Sequence, residues 1–217
     1  MLSNKVALIT GSTSGIGLAA AHVLAEKGIH LILHGLMNEQ DGAALVTEFE
    51  NKYDIKAFFS NADLRDPQAI SNFMQQGAKA LGSIDILVNN AGIQHTEGAA
   101  TFPTHKWNDI IAINLTSSFH TIQQCLPAMT EKKWGRIINI ASVHGLVGSK
   151  NKAAYCAAKH GIVGLTKVVA LESAEDGITV NSICPGWVDT PLIGQQITDI
   201  AEKDGVSFDE AQYKLIT

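Results

Sequence analysis

The sequence lacks the features that mark nucleic-acid-binding and membrane-spanning proteins. Its 217 residues carry a formal net charge of −5, and Lys132-Lys133 is the only adjacent basic pair, so no basic surface for a nucleic acid is indicated. No apolar run is long enough to span a membrane, and the N-terminus leads into a strand-like segment without a signal peptide. We therefore expect no nucleic-acid partner and no membrane partner, and the cytoplasm is the expected compartment.

Cysteine is scarce and so is charge. The three cysteines, Cys125, Cys156 and Cys184, lie far apart without metal-ligand spacing, which predicts reduced thiols rather than a disulfide framework or a metal site. Charged residues make up 17% of the chain and hydrophobic residues 46%, as in globular rather than disordered proteins. Without a linker, a repeat or a low-complexity segment, residues 1–217 are expected to form one domain.

What the sequence does contain is an alternation of short apolar runs with helical patterns. Strands are predicted over residues 6–9, 30–33, 55–59, 84–88, 136–140 and 178–183. Helices are predicted over about 16–27, 39–52, 67–81, 104–131 and 152–172, followed by a polar helical tail at 195–217. Repeated βαβ units with right-handed crossovers predict an α/β fold, a Rossmann-type doubly wound parallel sheet in the order 3-2-1-4-5-6.

A glycine-rich turn follows the first strand. It reads Thr10-Gly11-Ser12-Thr13-Ser14-Gly15-Ile16-Gly17 and leads into a helix. Glycines at such a turn let a pyrophosphate approach the backbone at the positive end of the helix dipole. In a strand–turn–helix setting the cluster predicts dinucleotide binding, although its spacing is GxxxGxG rather than GxGxxG.

This TGxxxGxG turn resembles the short-chain dehydrogenase/reductase family, and the resemblance recurs along nearly the whole chain. Asp63-Leu64, Asn89-Asn90-Ala91-Gly92 and Pro185-Gly186 with Thr190 match its segments after strands 3, 4 and 6. Asn114, Ser142, Tyr155 and Lys159 match its catalytic tetrad. The cofactor contacts that the resemblance implies are Gly11, Thr13, Ser14, Gly15, Ile16, Gly17, Leu36, Asp63, Leu64, Asn90, Ala91, Gly92, Tyr155, Lys159, Pro185, Gly186, Val188 and Thr190.

The cofactor is predicted to be NAD. A 2′-phosphate needs cationic partners, yet no Lys or Arg occurs between Lys27 and Lys52. Relatives that use NADP commonly carry a basic residue where this chain has Ser14 or Gly35-Leu36. The acidic residue that NAD-using relatives carry after strand 2 is also missing. The predicted preference for NAD over NADP therefore follows from the absence of cationic side chains that could bind a 2′-phosphate.

Tyr155 and Lys159 are four residues apart on a predicted helix and therefore share one face. Such a pair is weak by itself, but its place among the other motifs predicts acid–base chemistry. A nearby ammonium is expected to lower the pKa of the phenol and make it a usable base, while also holding the ribose hydroxyls. Ser142 is expected to hydrogen-bond the reacting oxygen. By resemblance, Asn114 would hold a water that relays protons to Lys159.

Polar side chains around this centre point to a small anionic substrate. Four donors are expected to converge from different loops, one of them a fixed cation: Gln94, His144, Lys152 and Gln196. The set resembles that of the bacterial D-3-hydroxybutyrate dehydrogenases within the family, where the matching residues hold the substrate carboxylate and Trp187 would pack against the substrate. The substrate contacts are then Gln94, Ser142, His144, Lys152, Tyr155, Trp187 and Gln196.

The resemblance implies interconversion of (R)-3-hydroxybutyrate and acetoacetate, with two alternatives left open. One is a reductase for another small polar substrate, such as a 3-oxoacyl thioester or a sugar. The other is a catalytically inactive NAD-binding module, because family members usually continue through another helix and a seventh strand. We therefore expect either a fragment of a longer gene product or a C-terminally truncated form, in both cases without that strand and with a lid over about 188–217. The full-length family form is expected to be a homotetramer.

Overall fold

Six short parallel strands form one sheet in the computed structural model, which describes residues 2–216 except the side chains of Gln195 and Ile216. The strands are β1 Val6–Ile9, β2 His30–His34, β3 Ala57–Ser60, β4 Ile86–Asn89, β5 Gly135–Ile140 and β6 Ile178–Ile183. The helices are α1 Gly15–Ala25, α2 Glu39–Tyr53, α3 Pro67–Leu81, α4 Thr104–Ile111, α5 Ser117–Glu131, α6 Ala153–Glu172, α7 Pro191–Asp204 and α8 Phe208–Ile216. Met1 and Thr217, the ends of the predicted domain, lie outside the described residues.

The strand order is β3-β2-β1-β4-β5-β6 with every pairing parallel, which confirms the predicted doubly wound sheet. Alternate side chains of β1 enter two separate cores. Leu8 packs in the core that α3, α5 and α6 cover, whereas Ala7 and Ile9 pack in the core that α1 and α2 cover. Burial on both faces explains why the strands read as continuous apolar runs.

The order of the strands also creates a crevice. β1 pairs with β2 on one side and β4 on the other, so the loops that leave β1 and β4 run to opposite faces of the sheet. In an open α/β sheet, ligands bind at the carboxyl ends of the strands at this point. Within the described residues, β6 pairs only with β5 and forms one edge of the sheet.

The predicted helix over 104–131 contains a local change of geometry. A π-helical segment, Ala112–Thr116, separates α4 from α5 and carries Asn114. Single π turns are rare in helices and often occur at functional sites. The predicted tail is likewise two helices, α7 and α8, rather than one segment. No helix in the described part of the chain is long and apolar enough to cross a membrane.

Candidate active site

A cavity of about 610 Å³ lies along the carboxyl ends of the strands. Its wall includes the glycine-rich loop, the ends of β2 and β3, the loop after β4, and residues 185–193 after β6. All the predicted cofactor residues except Gly17 line it. The size and the position of the cavity suit a dinucleotide.

The glycine-rich loop adopts a backbone that glycine favours. Gly11 and Gly15 have φ values of +65° and +53°, in the left-handed region. Ser14 is the N-cap residue of α1 and makes no side-chain capping bond, so the first N–H groups of the helix are left for an anion in the cavity. The loop therefore fits the pyrophosphate of a dinucleotide.

Gly17 was predicted to contact the cofactor, but it is buried behind the loop. A Cβ at this position would overlap the carbonyl oxygen of Gly11 and the side-chain amide of Asn90. The residue is therefore needed for close packing of α1 against the loop, and it does not line the cavity. Asn90 fixes the same region, because its Nδ2 donates to the carbonyl oxygens of Thr10 and Gly11 at 3.0 and 2.9 Å.

An arginine that sequence reasoning missed also lines the cavity. Arg65 donates from Nε and Nη2 to the Asp63 carboxylate, with a shortest distance of 2.6 Å, and lies 3.5 Å from Asp109. This arginine holds the pKa of the Asp63 carboxyl below its ordinary value. The available signal was the position of Arg65 two residues after Asp63, whereas the cofactor prediction depended on Ser14 and on the region after strand 2.

A buried histidine at the end of β2 is the second residue that sequence reasoning missed. His34 lines the cavity, and its ring nitrogens contact the backbone of Gly11 and of Ala62. These two residues belong to different loops of the cavity wall. Its place directly after the apolar run Leu31-Ile32-Leu33 was the available signal, but its contacts with two other loops are not visible in the sequence.

Tyr155 and Lys159 project from the first turns of α6 into the cavity. The Lys159 Nζ lies 5.6 Å from the centroid of the Tyr155 ring and donates to the Ile140 carbonyl oxygen at 2.7 Å. Burial lowers the pKa of Lys159 to about 8, because an ammonium inside the protein loses its hydration. Ser142, just after β5, accepts a hydrogen bond from the His144 N–H at 3.2 Å, and its hydroxyl also hydrogen-bonds the Tyr155 side chain.

The predicted lowering of the Tyr155 pKa by Lys159 is wrong for this structure. The pKa of Tyr155 is raised, chiefly by burial, and only the facing Ser142 side chain opposes that effect. A buried phenolate is costly because the surrounding protein cannot replace its hydration. Tyr155 therefore holds its proton at neutral pH in the site as it stands.

Asn114 is buried, and its side-chain amide is hydrogen-bonded to the backbone of Ile93. Its Oδ1 accepts from the Ile93 N–H and its Nδ2 donates to the Ile93 carbonyl oxygen, both at 2.9 Å. The π-helical segment thus holds the loop after β4, and the Asn114 side chain does not line the cavity. Its predicted role in a water relay stays a prediction.

A second, small cavity adjoins the first and has a volume of about 50 Å³. It opens beside Tyr155 and Ser142, and residues from the loops after β4, β5 and β6 meet there with α7. Every predicted substrate residue lines it: Gln94, Ser142, His144, Lys152, Tyr155, Trp187 and Gln196. The structure thus brings together side chains that are up to 102 residues apart in sequence.

Lys152 is a buried cation without a buried anion. The residue is 5% exposed, its Nζ lies 4.9 Å from the centroid of the Trp187 ring, and burial lowers its pKa. None of the ion pairs among the described residues includes it. A buried ammonium is costly without a partner, and a carboxylate would supply one.

His144 lies between two aromatic rings of this small cavity. Its imidazole makes edge contacts with Tyr155 and Trp187, each at a centroid distance of 6.3 Å. Burial and the charge of Lys152 lower its pKa, so the ring is neutral at physiological pH. Its Nδ1 has no hydrogen-bond partner within residues 2–216 and is available to a ligand.

Two glutamines join the loop after β4 to α7. Gln94 Nε2 donates to Gln196 Oε1 at 2.9 Å, and Gln196 Nε2 donates to the Leu192 carbonyl oxygen at 3.2 Å. Gln196, which the sequence placed in the predicted lid, is buried. The amide pair holds α7 over the small cavity, and each Nε2 retains one N–H for a ligand.

Comparison with known proteins agrees with this geometry. A sequence profile described as short chain dehydrogenase matches residues 5–201. D-beta-hydroxybutyrate dehydrogenase from Cupriavidus necator is 49% identical over 216 residues, covering 100% of this chain and 83% of that protein. The protein of the same name from Rhizobium meliloti is 52% identical over 203 residues, covering 94% of this chain and 79% of that protein.

Among solved structures, that of a variant of actinorhodin polyketide ketoreductase with NADPH superposes with a TM-score of 0.88. It is 37% identical, and the match covers 97% of this chain and 82% of that one. The family and its NADPH-bound neighbour indicate a nicotinamide cofactor. From the sequence profile and these identities, the chain belongs to the short-chain dehydrogenase family.

Proposed function

We propose that this protein is an NAD-dependent dehydrogenase that interconverts (R)-3-hydroxybutyrate and acetoacetate. The observation that carries the proposal is the buried, unpaired ammonium of Lys152 in a 50 Å³ cavity beside Tyr155. A short acid with a hydroxyl group two carbons from its carboxylate can reach both groups at once. The two similar hydroxybutyrate dehydrogenases support the same substrate.

The carboxylate would bind at the polar end of the small cavity. Lys152 supplies the charge, and the retained N–H groups of Gln94 and Gln196 donate to the carboxylate oxygens. His144 donates as well when its unpartnered Nδ1 carries the proton. Leu192 and Ile193 of α7 narrow the cavity, so acids with longer chains would be excluded.

The reacting hydroxyl would lie between Ser142 and Tyr155. A bound nicotinamide would supply the hydride acceptor in oxidation and the donor in reduction. In oxidation the Tyr155 phenolate takes the hydroxyl proton as the hydride leaves C3, and in reduction the phenol returns a proton to the carbonyl oxygen. Because burial raises the pKa of Tyr155, protonated Tyr155 is favoured at neutral pH, and oxidation should speed up as the pH rises.

The carboxylate partners of Arg65 favour NAD over NADP. Among the described residues, Arg65 is the one arginine that lines the cavity. Arg65 is committed to Asp63 and Asp109, so a 2′-phosphate would have to compete with two carboxylates. Leu36, at the end of β2, is 82% exposed and offers no charge to a phosphate. Initial rates with each cofactor test this preference, and faster oxidation with NADP than with NAD would contradict it.

The substrate is tested by pairing (R)-3-hydroxybutyrate with its methyl ester, in the parent and in Lys152→Met. The acid should be oxidised by the parent with a kcat/KM about a hundredfold higher than in the variant, since a charge-assisted contact is lost. The ester lacks the charge, so its kcat/KM should change little. Equal losses of kcat/KM for the acid and the ester would show that Lys152 does not bind the substrate carboxylate.

A ketoreductase for a 3-oxoacyl thioester is the second candidate, favoured by the likeness to the polyketide ketoreductase. Such a substrate is neutral around its reacting carbonyl and longer than the small cavity. Reduction of acetoacetate and of an acetoacetyl thioester should be compared at equal concentrations. Faster reduction of the thioester would favour this candidate over the proposal.

A further inference from the structure

His34 has no part in the chemistry proposed above, although it is a buried titratable group in the cavity wall. It is 3% exposed, and its ring bridges two loops. Nδ1 faces the N–H of Gly11 at 3.2 Å, and Nε2 faces the carbonyl oxygen of Ala62 at 2.9 Å. A backbone N–H can only donate and a carbonyl can only accept, so the ring is neutral with its proton on Nε2.

The backbone of His34 reinforces the same connection. Its carbonyl oxygen accepts from the Ser12 N–H at 2.8 Å, and its N–H donates to the Ser12 Oγ at 2.9 Å. The glycine-rich loop is therefore held to the end of β2 by main-chain contacts. The end of β3 is held to β2 as well, because the Ser60 carbonyl oxygen accepts from the Gly35 N–H at 3.2 Å. Among the described residues, the imidazole of His34 extends this connection to Ala62, which precedes Asp63.

We propose that His34 is a positioning residue that sets the separation of the Gly11 loop and the Ala62–Asp63 loop, and thereby the affinity for the nicotinamide cofactor. A dinucleotide in the larger cavity would lie between these two loops. The proposal rests on the proposed function only in taking that cavity as the cofactor site. It assigns a role to a side chain that need not contact the cofactor itself.

Acid should weaken this connection. An imidazolium carries a proton on Nδ1, which would then face the Gly11 N–H donor, and the bond to that loop would be lost. Asp63 favours the charged ring, but burial opposes it more strongly and lowers the pKa of His34 below 6.5. The charge of Asp63 is shared with Arg65, and the neighbouring ring on α3 is the uncharged Phe73, at 5.5 Å.

Three substitutions separate the two contacts. In His34→Asn the amide oxygen can take the place of Nδ1 and accept from Gly11, whereas in His34→Gln the amide nitrogen can take the place of Nε2 and donate to Ala62. His34→Leu removes both contacts. The matched control is His30→Leu at the opposite end of β2, where Nδ1 of His30 accepts from the Lys56 N–H at 3.0 Å outside the cavity.

NADH binding is measured for each variant by calorimetry at pH 7.5 and 5.5, with unfolding temperatures as a check on folding. His34→Leu should bind NADH about tenfold more weakly than the parent at pH 7.5, with the Asn and Gln variants in between. His30→Leu should bind within about twofold of the parent. Any loss of NADH binding by the parent between pH 7.5 and 5.5 that comes from His34 should be absent in the Asn and Gln variants, because the lowered pKa keeps the ring neutral until the pH is below 6.5.

Parent-like NADH affinity in folded His34→Leu at pH 7.5 overturns the proposal. If His34→Leu does not fold, the Asn and Gln variants decide, and parent-like affinity in both overturns it. If the His34 variants bind NADH more weakly than the parent while the parent fails to oxidise 3-hydroxybutyrate, the positioning role of His34 is supported and the proposed function is contradicted. If the parent binds no NADH, both the positioning role and the proposed function are contradicted.

Discussion

Replacing Lys159 by methionine should remove activity and stabilise the protein at neutral pH. Lys159 is 4% exposed, and its pKa falls from 10.5 to about 8 on folding. At roughly 1.4 kcal/mol per pKa unit, the charged side chain costs the folded state about 3 kcal/mol. Loss of the hydrogen bond to the Ile140 carbonyl offsets roughly 1 kcal/mol, which leaves a net gain of about 2 kcal/mol.

The sign of the pH dependence follows from the lowered pKa. Between pH 8 and 10.5 the unfolded chain keeps the Lys159 proton that the folded chain has released, so parental stability should rise with pH across this window. The advantage of Lys159→Met should therefore be full below pH 8 and should disappear above pH 10.5. For a chain of this size, 2 kcal/mol corresponds to roughly 4 to 8 °C in Tm.

The assay is thermal unfolding followed by circular dichroism at pH 7 and pH 10. Lys167→Met is the control, because Lys167 lies on the same helix but is exposed, and it should show no comparable gain. A Tm for Lys159→Met at or below that of the parent at pH 7 would refute the reasoning. So would a gain that persists undiminished as the pH approaches 10.5.

Three further predictions concern the candidate site. Tyr155→Phe should lower kcat by about a hundredfold or more while NADH binding is retained, and a variant as active as the parent would remove Tyr155 from the acid–base role. Because the pKa of Lys152 is lowered, KM for 3-hydroxybutyrate should begin to rise at a pH below 10.5, whereas KM for NAD should not follow that rise. Gln94→Ala and Gln196→Ala should each raise KM for the acid, and the double variant should show less than the product of the two effects because the two amides are bonded to each other. Strictly multiplicative effects would show that the pair does not act together.

Much of the fold could be predicted because its signals are local. The apolar runs of β1 and β4 mark buried parallel strands, and the GxxxGxG turn marks the start of α1. Boundaries before residue 184 shifted by up to two residues, as with β3, which begins at Ala57 rather than 55. The tail predicted from residue 195 begins at Pro191. The π-helical segment was not foreseen, because its sequence continues the helical pattern on both sides.

The site was predicted less completely because its energetics depend on residues distant in sequence. The roles of His34 and Arg65 come from contacts across loops, which no spacing rule contains. Gly17 was expected at the cofactor, but its environment is the packed loop behind the cavity wall. The direction of the Tyr155 pKa depends on burial, which outweighs the effect expected from Lys159 four residues away.

The central claim is that a carboxylate held at Lys152 presents one face of a short hydroxy acid to the reaction centre. It is tested most directly by NADH formation from the separate enantiomers of 3-hydroxybutyrate, with NAD and the purified chain. We expect rapid NADH formation from the (R) enantiomer and almost none from the (S) enantiomer. No NADH from either enantiomer, or equal rates from both, would contradict it.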